Sequence, residues 1–136
     1  MKRIHINSYD GTHVKAPIRC NECGKTLDDY KIGDFYGDCV MNGTSEDIQL
    51  GVGIIFIEQI TIEIAKHIVK IIPKFVGLTA EVDEVAEHYL LNKDIILFEK
   101  LVHTEKLPNK FLFYGIPLKI KKGDRGPVRA FTITSR

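Results

Sequence analysis

The feature that most narrows the fold is an alternation of short apolar runs with amphipathic stretches in the second half of the chain. Gly51–Ile57 is continuously apolar, the pattern of a strand covered on both faces. Ile60–Ile72 reads two ways: Ile60, Ile62 and Ile64 alternate as in a strand, whereas Ile64, Ile68, Ile71 and Ile72 form a helical stripe. Length favours the helix, with Thr61 as its N-cap and Pro73 just past its end. Lys74–Thr79 is a second buried-strand candidate, and Val82, Val85, Ala86, Tyr89 and Leu90 return to helical spacing. Ile95–Leu101 reads as a strand, and His103–Lys110 as a polar loop. Phe111–Ile120 and Val128–Thr134 are further strands, joined by the turn-rich KKGDRGP. That order of elements predicts an α/β chain with a mixed sheet.

The first half is less regular. Arg3–Ser8 reads as a short strand and is followed by a loop around Gly11 and Pro17. Residues 21–34 are turn-rich, Tyr36–Met41 is a short strand, and Asn42–Asp47 is a turn cluster. The length of 136 residues suits a single domain spanning 1–136. A hydrophobic fraction of 44% and a charged fraction of 27% argue against disorder.

Nineteen basic residues nearly balance eighteen acidic ones, so bulk charge gives no drive toward nucleic acid. Lys119, Lys121, Lys122, Arg125 and Arg129 cluster near the last turn. Without interleaved aromatics they read as a solvated hairpin tip, or at most an unspecific site for an anionic partner. The start of the chain has no apolar h-region, and Ile48–Ile57 is about half the length a spanning helix needs. The expectation is a cytoplasmic protein with no membrane partner. Uncovered sheet edges in so short an α/β chain point to a homo-oligomer, a dimer by default.

Cys20, Cys23 and Cys39 are odd in number, which argues against a disulfide framework. Cys20 and Cys23, followed by Gly24 and Lys25, resemble half a zinc knuckle; the plainer reading is two unremarkable thiols.

The stretch Tyr9-Asp10-Gly11-Thr12-His13-Val14-Lys15-Ala16-Pro17-Ile18-Arg19 resembles the signature of the kynurenine formamidase-like cyclase family of metal-dependent hydrolases, His-x-Gly-Thr-His-x-Asp-x-Pro-x-His. The likeness continues in order through Gly24–Asp28, Phe75–Leu78, Leu90–Leu101, Leu107-Pro108, Phe111–Phe113, Ile116–Ile120 and Pro127–Ala130, covering most of the chain. It implies a swivelling β/β/α fold, truncated relative to the family. It also implies Zn²⁺ or Mn²⁺ and hydrolysis of amides such as N-formylkynurenine. There the metal polarises the carbonyl and makes hydroxide available near neutral pH.

The family's metal ligands are the three motif histidines, the motif aspartate, a histidine beside the Leu-Leu pair and the strand glutamate. Carried onto this chain, the first histidine falls on Tyr9, the second is kept as His13, the aspartate falls on Lys15 and the last histidine on Arg19. The histidine beside Leu90-Leu91 falls on Glu87, with His88 one step away, and the glutamate is kept as Glu99.

Two functions follow from that substitution pattern. The first is a hydrolase with an altered ligand set: His13 and Glu99 catalytic, with His13, Glu99, Glu87 and His88 or Asp10 around the metal. The second is a non-catalytic binding or regulatory module for a small molecule, with Tyr9, Lys15 and Arg19 facing an anionic ligand or replacing the metal. Lys and Arg near a metal would repel it and compete for its carboxylates.

Overall fold

The computed structural model describes residues 1–42 and 51–134. Among these, local sequence sets the helices. Thr61 Oγ1 accepts a hydrogen bond from the Ile64 backbone N–H at 3.4 Å and opens α1 (Ile62–Ile71). Ile72, left-handed at φ +54°, closes it ahead of Pro73. Asp83 caps α2 (Glu84–Leu91) by accepting from the Ala86 N–H at 3.3 Å. Ala86, Glu87, Leu90 and Leu91 are the buried residues of α2, while Val85 and His88 lie on its exposed face.

The strands are β1 (His13–Lys15), β2 (Tyr36–Met41), β3 (Gly53–Phe56), β4 (Val76–Leu78), β5 (Leu97–Glu99), β6 (Lys110–Tyr114), β7 (Arg125–Pro127) and β8 (Phe131–Ile133). They form one curled, half-barrel sheet in the order β7-β1-β5-β4-β3-β2-β6-β8. The centre, β2 to β5, is parallel. β1 runs antiparallel to β5 and β7, and β6 antiparallel to β2 and β8. This is the mixed α/β sheet expected from the sequence, with two α-helices among the described residues.

Strand alternation divides the interior into two cores. Leu97, Val76 and Leu78 pack with Ile68 of α1 and Leu90 of α2. Phe98 and Ile55 point to the opposite face, where Phe75, Phe98 and Phe113 meet at ring-centre distances of 4.9–5.4 Å. Gly53 makes that aromatic cluster fit: a Cβ there would lie 2.3 Å from the Phe75 ring.

Four local expectations change. Arg3–Ser8 forms no strand; Ile4 and Ile6 alternate but are 83% and 57% exposed, with no neighbouring strand among the described residues to pair with. The first strand is β1, inside the stretch expected to be a loop. Its polar His13 and Lys15 hid a segment whose burial depends on partners far along the chain. The strand expected over Phe111–Ile120 ends at Tyr114. KKGDRGP is not a hairpin turn either: its last three residues are β7, which pairs with β1 at one edge while β8 pairs with β6 at the other. Pairing across the whole sheet, not the local turn, decides that topology. The Asn42–Asp47 cluster lies, beyond Asn42, outside the described residues. Among the described residues no helix is long and apolar enough to cross a membrane.

Candidate functional site: an ionic cluster between β1, β5 and α2

His13 and Lys15 are two apart on β1 and so share a face. Antiparallel register sets His13 opposite Glu99 on β5. The inner face of α2 supplies Glu87. These elements bring four ionisable side chains together. Lys15 Nζ donates to Glu87 Oε1 at 2.6 Å and to Glu99 Oε1 at 2.9 Å. His13 Nε2 lies 3.2 Å from Glu99 Oε2. Arg19, at the end of the short turn Pro17–Arg19, stands at the margin with Nε 4.0 Å from Glu87 Oε1. His13, Lys15 and Glu87 are the buried charged or polar residues among those described, exposed by only 2%, 7% and 7%.

Such groups are tolerated inside only when paired. Here two carboxylates face the Lys15 ammonium, with Arg19 beside one of them. Burial pushes the Glu99 carboxyl up, but contacts and charge from His13 and Lys15 outweigh it and hold Glu99 below the usual carboxylate range. Burial, followed by the Glu87 charge, pushes the nearby Cys20 thiol up.

Gly11 O is 2.8 Å from His13 Nδ1. A carbonyl only accepts, so Nδ1 carries a proton and donates it to Gly11 O, while Nε2 is turned toward Glu99. Nε2 is buried, and its approach to Glu99 falls short of a formed hydrogen bond.

A cleft of about 300 Å³ opens beside the cluster, lined by Lys15, Thr79, Glu81, Glu87, Glu99 and Lys100. Lys100 has a left-handed backbone, φ +56°, and its carbonyl accepts from Thr12 Oγ1 at 2.8 Å. That turn carries the chain out of β5 immediately after Glu99 and ties it to the residue before His13. Thr79, Glu81 and Lys100 were not among the sequence candidates. No motif or periodicity marks them; they reach the cleft because β4 and β5 are adjacent parallel strands ending at the same side.

The remaining candidates lie apart from the ionic cluster. Tyr9 is exposed, with the Arg125 guanidinium 5.2 Å over its ring. Asp10 is exposed and accepts from the Asn7 N–H at 2.8 Å. His88 faces outward on α2. The cysteines are free thiols: Cys20 half-buried, Cys23 exposed, and Cys39 buried on β2.

The donor set does not fit the Zn²⁺ or Mn²⁺ that the family resemblance implies. The Lys15 ammonium stands between the two carboxylates that would have to face the ion. A divalent ion there would meet a fixed positive charge at contact distance. Among the described residues no group of three or more His, Cys, Asp or Glu side chains is arranged to hold a metal.

No family model matches the chain. The kynurenine formamidase of Salinibacter ruber (strain DSM 13855 / M31) is 25% identical over 162 aligned positions, covering 93% of this chain and 76% of that protein. The fold is similar to a solved potential metal-dependent hydrolase with cyclase activity, at a TM-score of 0.83 and 20% identity, covering 96% of this chain and 81% of that one. It is also similar to isatin hydrolase A from Labrenzia aggregata, at a TM-score of 0.81 and 15% identity, over 96% and 75% of the two chains. An isatin hydrolase bound to the product analogue thioisatinate matches at 0.79 and 13% identity, over 97% and 74%. Motif order, sequence similarity and fold agree: the chain is similar to kynurenine formamidase and has the fold of the cyclase-like hydrolases, spanning about three quarters of the length of the relatives it matches.

Proposed function

We propose that this chain is a small-molecule-binding module on a hydrolase scaffold, in which the Lys15 ammonium takes the place of the family's metal ion. One observation carries the reading: Lys15 Nζ, buried with Glu87, sits 2.6 Å from that carboxylate and 2.9 Å from half-buried Glu99. Two of its three N–H bonds are thereby directed at carboxylates, leaving one donor. Lys100 lines the same cleft. The ligand this favours is a small molecule presenting a carbonyl or carboxylate oxygen to those donors. Tyr9, exposed and outside the cleft lining, has no part in this reading.

The sequence similarity to a kynurenine formamidase favours the second reading, amide hydrolysis by a metal-activated water. That reading requires Lys15 to leave its carboxylates.

Metal content after loading with excess Zn²⁺ and Mn²⁺ separates the two. The proposal expects no stoichiometric metal in the wild type. It also expects thermal stabilisation by members of a panel of small carboxylates and amides, lost in Lys100→Ala. One bound ion per chain, with amide hydrolysis abolished by Glu99→Ala, would overturn it.

A further inference from the structure

A hollow of about 430 Å³ lies between the short turns Leu27–Asp29 and Ile32–Phe35 and the segment that leaves β6. It shares no lining residue with the cleft beside Lys15. Buried Leu27 and Phe35 and half-buried Tyr30 line it, together with Ile32, Ile116 and Leu118, which are exposed by 67%, 41% and 73%. Ile116 and Leu118 belong to the apolar run expected to continue β6. Pro117 between them has no N–H for a sheet ladder, and the run lines the hollow instead. Scattered exposed aliphatics need no explanation, but three around one concave surface mark a binding site.

Its walls are held from both sides. The Thr26 N–H donates to Asp29 Oδ2 and the Lys31 N–H to Asp34 Oδ2, both at 2.8 Å, which closes each turn. The Leu27 N–H donates to Gly123 O at 2.8 Å and the Gly115 N–H to Phe35 O at 3.0 Å, which ties the turns to the facing chain. Such bonds also settle the charge. Asp28 and Asp29 line the hollow, but Asp29 accepts from the Thr26 N–H, and Asp28 from Thr26 Oγ1 and the Lys122 N–H. Lys31 and Lys119 line it too, exposed, and neither has an ion-pair partner among the described residues. Lys25 stands 5.3 Å over the Tyr30 ring, and Lys121 and Lys122 follow Lys119 in the chain. The hollow is apolar within and carries unpaired ammonium groups at its edge.

We infer that this hollow binds an amphiphilic carboxylate: an unbranched fatty acid whose chain lies against Ile32, Ile116 and Leu118 and whose head group meets Lys31 or Lys119. Burial of methylenes supplies the affinity, and the ammonium–carboxylate contact at the exposed edge supplies the orientation. A volume of about 430 Å³ is that of a small-molecule pocket, and a concave apolar surface receives a single chain rather than a bilayer. The lysines near the last turn, which alone are an unspecific anion site, gain specificity from the apolar surface beside them. The site stands independently of the reading of the ionic cluster.

Isothermal titration of the full chain with octanoate, below its micelle-forming concentration, tests the site. Saturable binding of one octanoate per chain is expected. Affinity should rise about three- to fourfold per methylene from hexanoate to octanoate, because each added methylene is buried. A carboxylate held only in the cleft beside Lys15 would show no such rise. Octylammonium, with the same chain and the opposite charge, should bind more weakly than octanoate. Leu118→Asp places a carboxylate among the lining residues and is expected to weaken octanoate by about tenfold, whereas Val102→Asp, at an exposed apolar residue outside the hollow, leaves it unchanged. Circular dichroism reports whether each variant is folded, and Ile32→Asp replaces Leu118→Asp if that chain is not. Absence of saturable binding, an affinity that does not change with chain length, octylammonium bound as tightly as octanoate, or wild-type affinity in the folded Leu118→Asp or Ile32→Asp chain would overturn the inference. So would an equal loss in Val102→Asp, or binding to anionic lipid vesicles with none to monomeric octanoate.

Discussion

β1 and β8 are both three-residue strands, and each inverts the usual distribution of polarity. β1 buries His13 and Lys15 completely or nearly so, whereas β8 exposes Phe131 and Ile133. Position in the sheet explains the difference. β1 lies between β5 and β7 with α2 supplying Glu87, so its charges have fixed opposite charges to meet. Among the described residues β8 is an edge, so its apolar residues have a neighbouring strand on one side only. A buried charge is explained by its partner within the chain; apolar side chains on an edge strand keep one flank exposed.

The strongest way to break this comparison is to remove the cation from the β1 side. Lys15→Ala leaves buried Glu87 and half-buried Glu99 without the ammonium between them, with only Arg19 and His13 at their margins, and is expected to cost about 3–5 kcal/mol. Urea denaturation measures it. Adding Glu87→Gln and Glu99→Gln to Lys15→Met should recover most of that loss, because the repulsion disappears with the charges. A Lys15→Ala chain as stable as wild type would mean that the ion pairs contribute nothing.

Acid probes the same cluster more gently. Glu99 titrates below the ordinary carboxylate range in the folded chain. Its contribution to stability is therefore complete above the unfolded-state value, about 4.3 for a glutamate, and is lost as pH falls through the lower folded value. Wild type should lose stability on acidification in that window, and Glu99→Gln should show a shallower dependence. Equal slopes would detach Glu99 from the ionic network.

On the β8 side the effects are smaller. Phe131→Ala removes the ring stacked on Tyr114 and is expected to cost about 0.5–1.5 kcal/mol within a single chain. A loss as large as that of Lys15→Ala would mean that β8 is structurally central rather than a peripheral edge.

The smallest test concerns burial without an ionic partner. Burial pushes the Cys39 thiol up to about 12, so it stays neutral, whereas half-buried Glu99 stays charged beside Lys15. Alkylation of the native chain at pH 8 should label exposed Cys23 and spare Cys39 until the chain unfolds.

Much of the architecture was legible residue by residue. The Thr61 cap, the isoleucine stripe and Pro73 placed α1 almost to the residue. The apolar runs located β3, β4 and β5, though each strand is shorter than its run. β2 is the predicted Tyr36–Met41. β1 and β7 were not legible, because neither carries an apolar signature and both form through pairing with distant strands, β1 with β5 and β7 and β7 with β1. At the candidate site, the motif order singled out positions 13, 15, 19, 87 and 99, which converge. It also singled out Tyr9 and His88, which do not. A motif specifies order along the chain, while α2 decides by its rotation that Glu87 faces inward and His88 outward.

By itself, the sequence determined the helices, the central strands and the presence of Lys15 and Arg19 at positions where the resembled motif has an aspartate and a histidine, since periodicity, caps and residue identity are local properties. Tertiary structure decided where the Lys15 charge goes and which edge stays open. The partners of Lys15 are 72 and 84 residues away in the chain, and only sheet register and helix docking bring them within hydrogen-bonding distance. The edges, likewise, are set by strand order, a property of the whole sheet that no short stretch of chain contains.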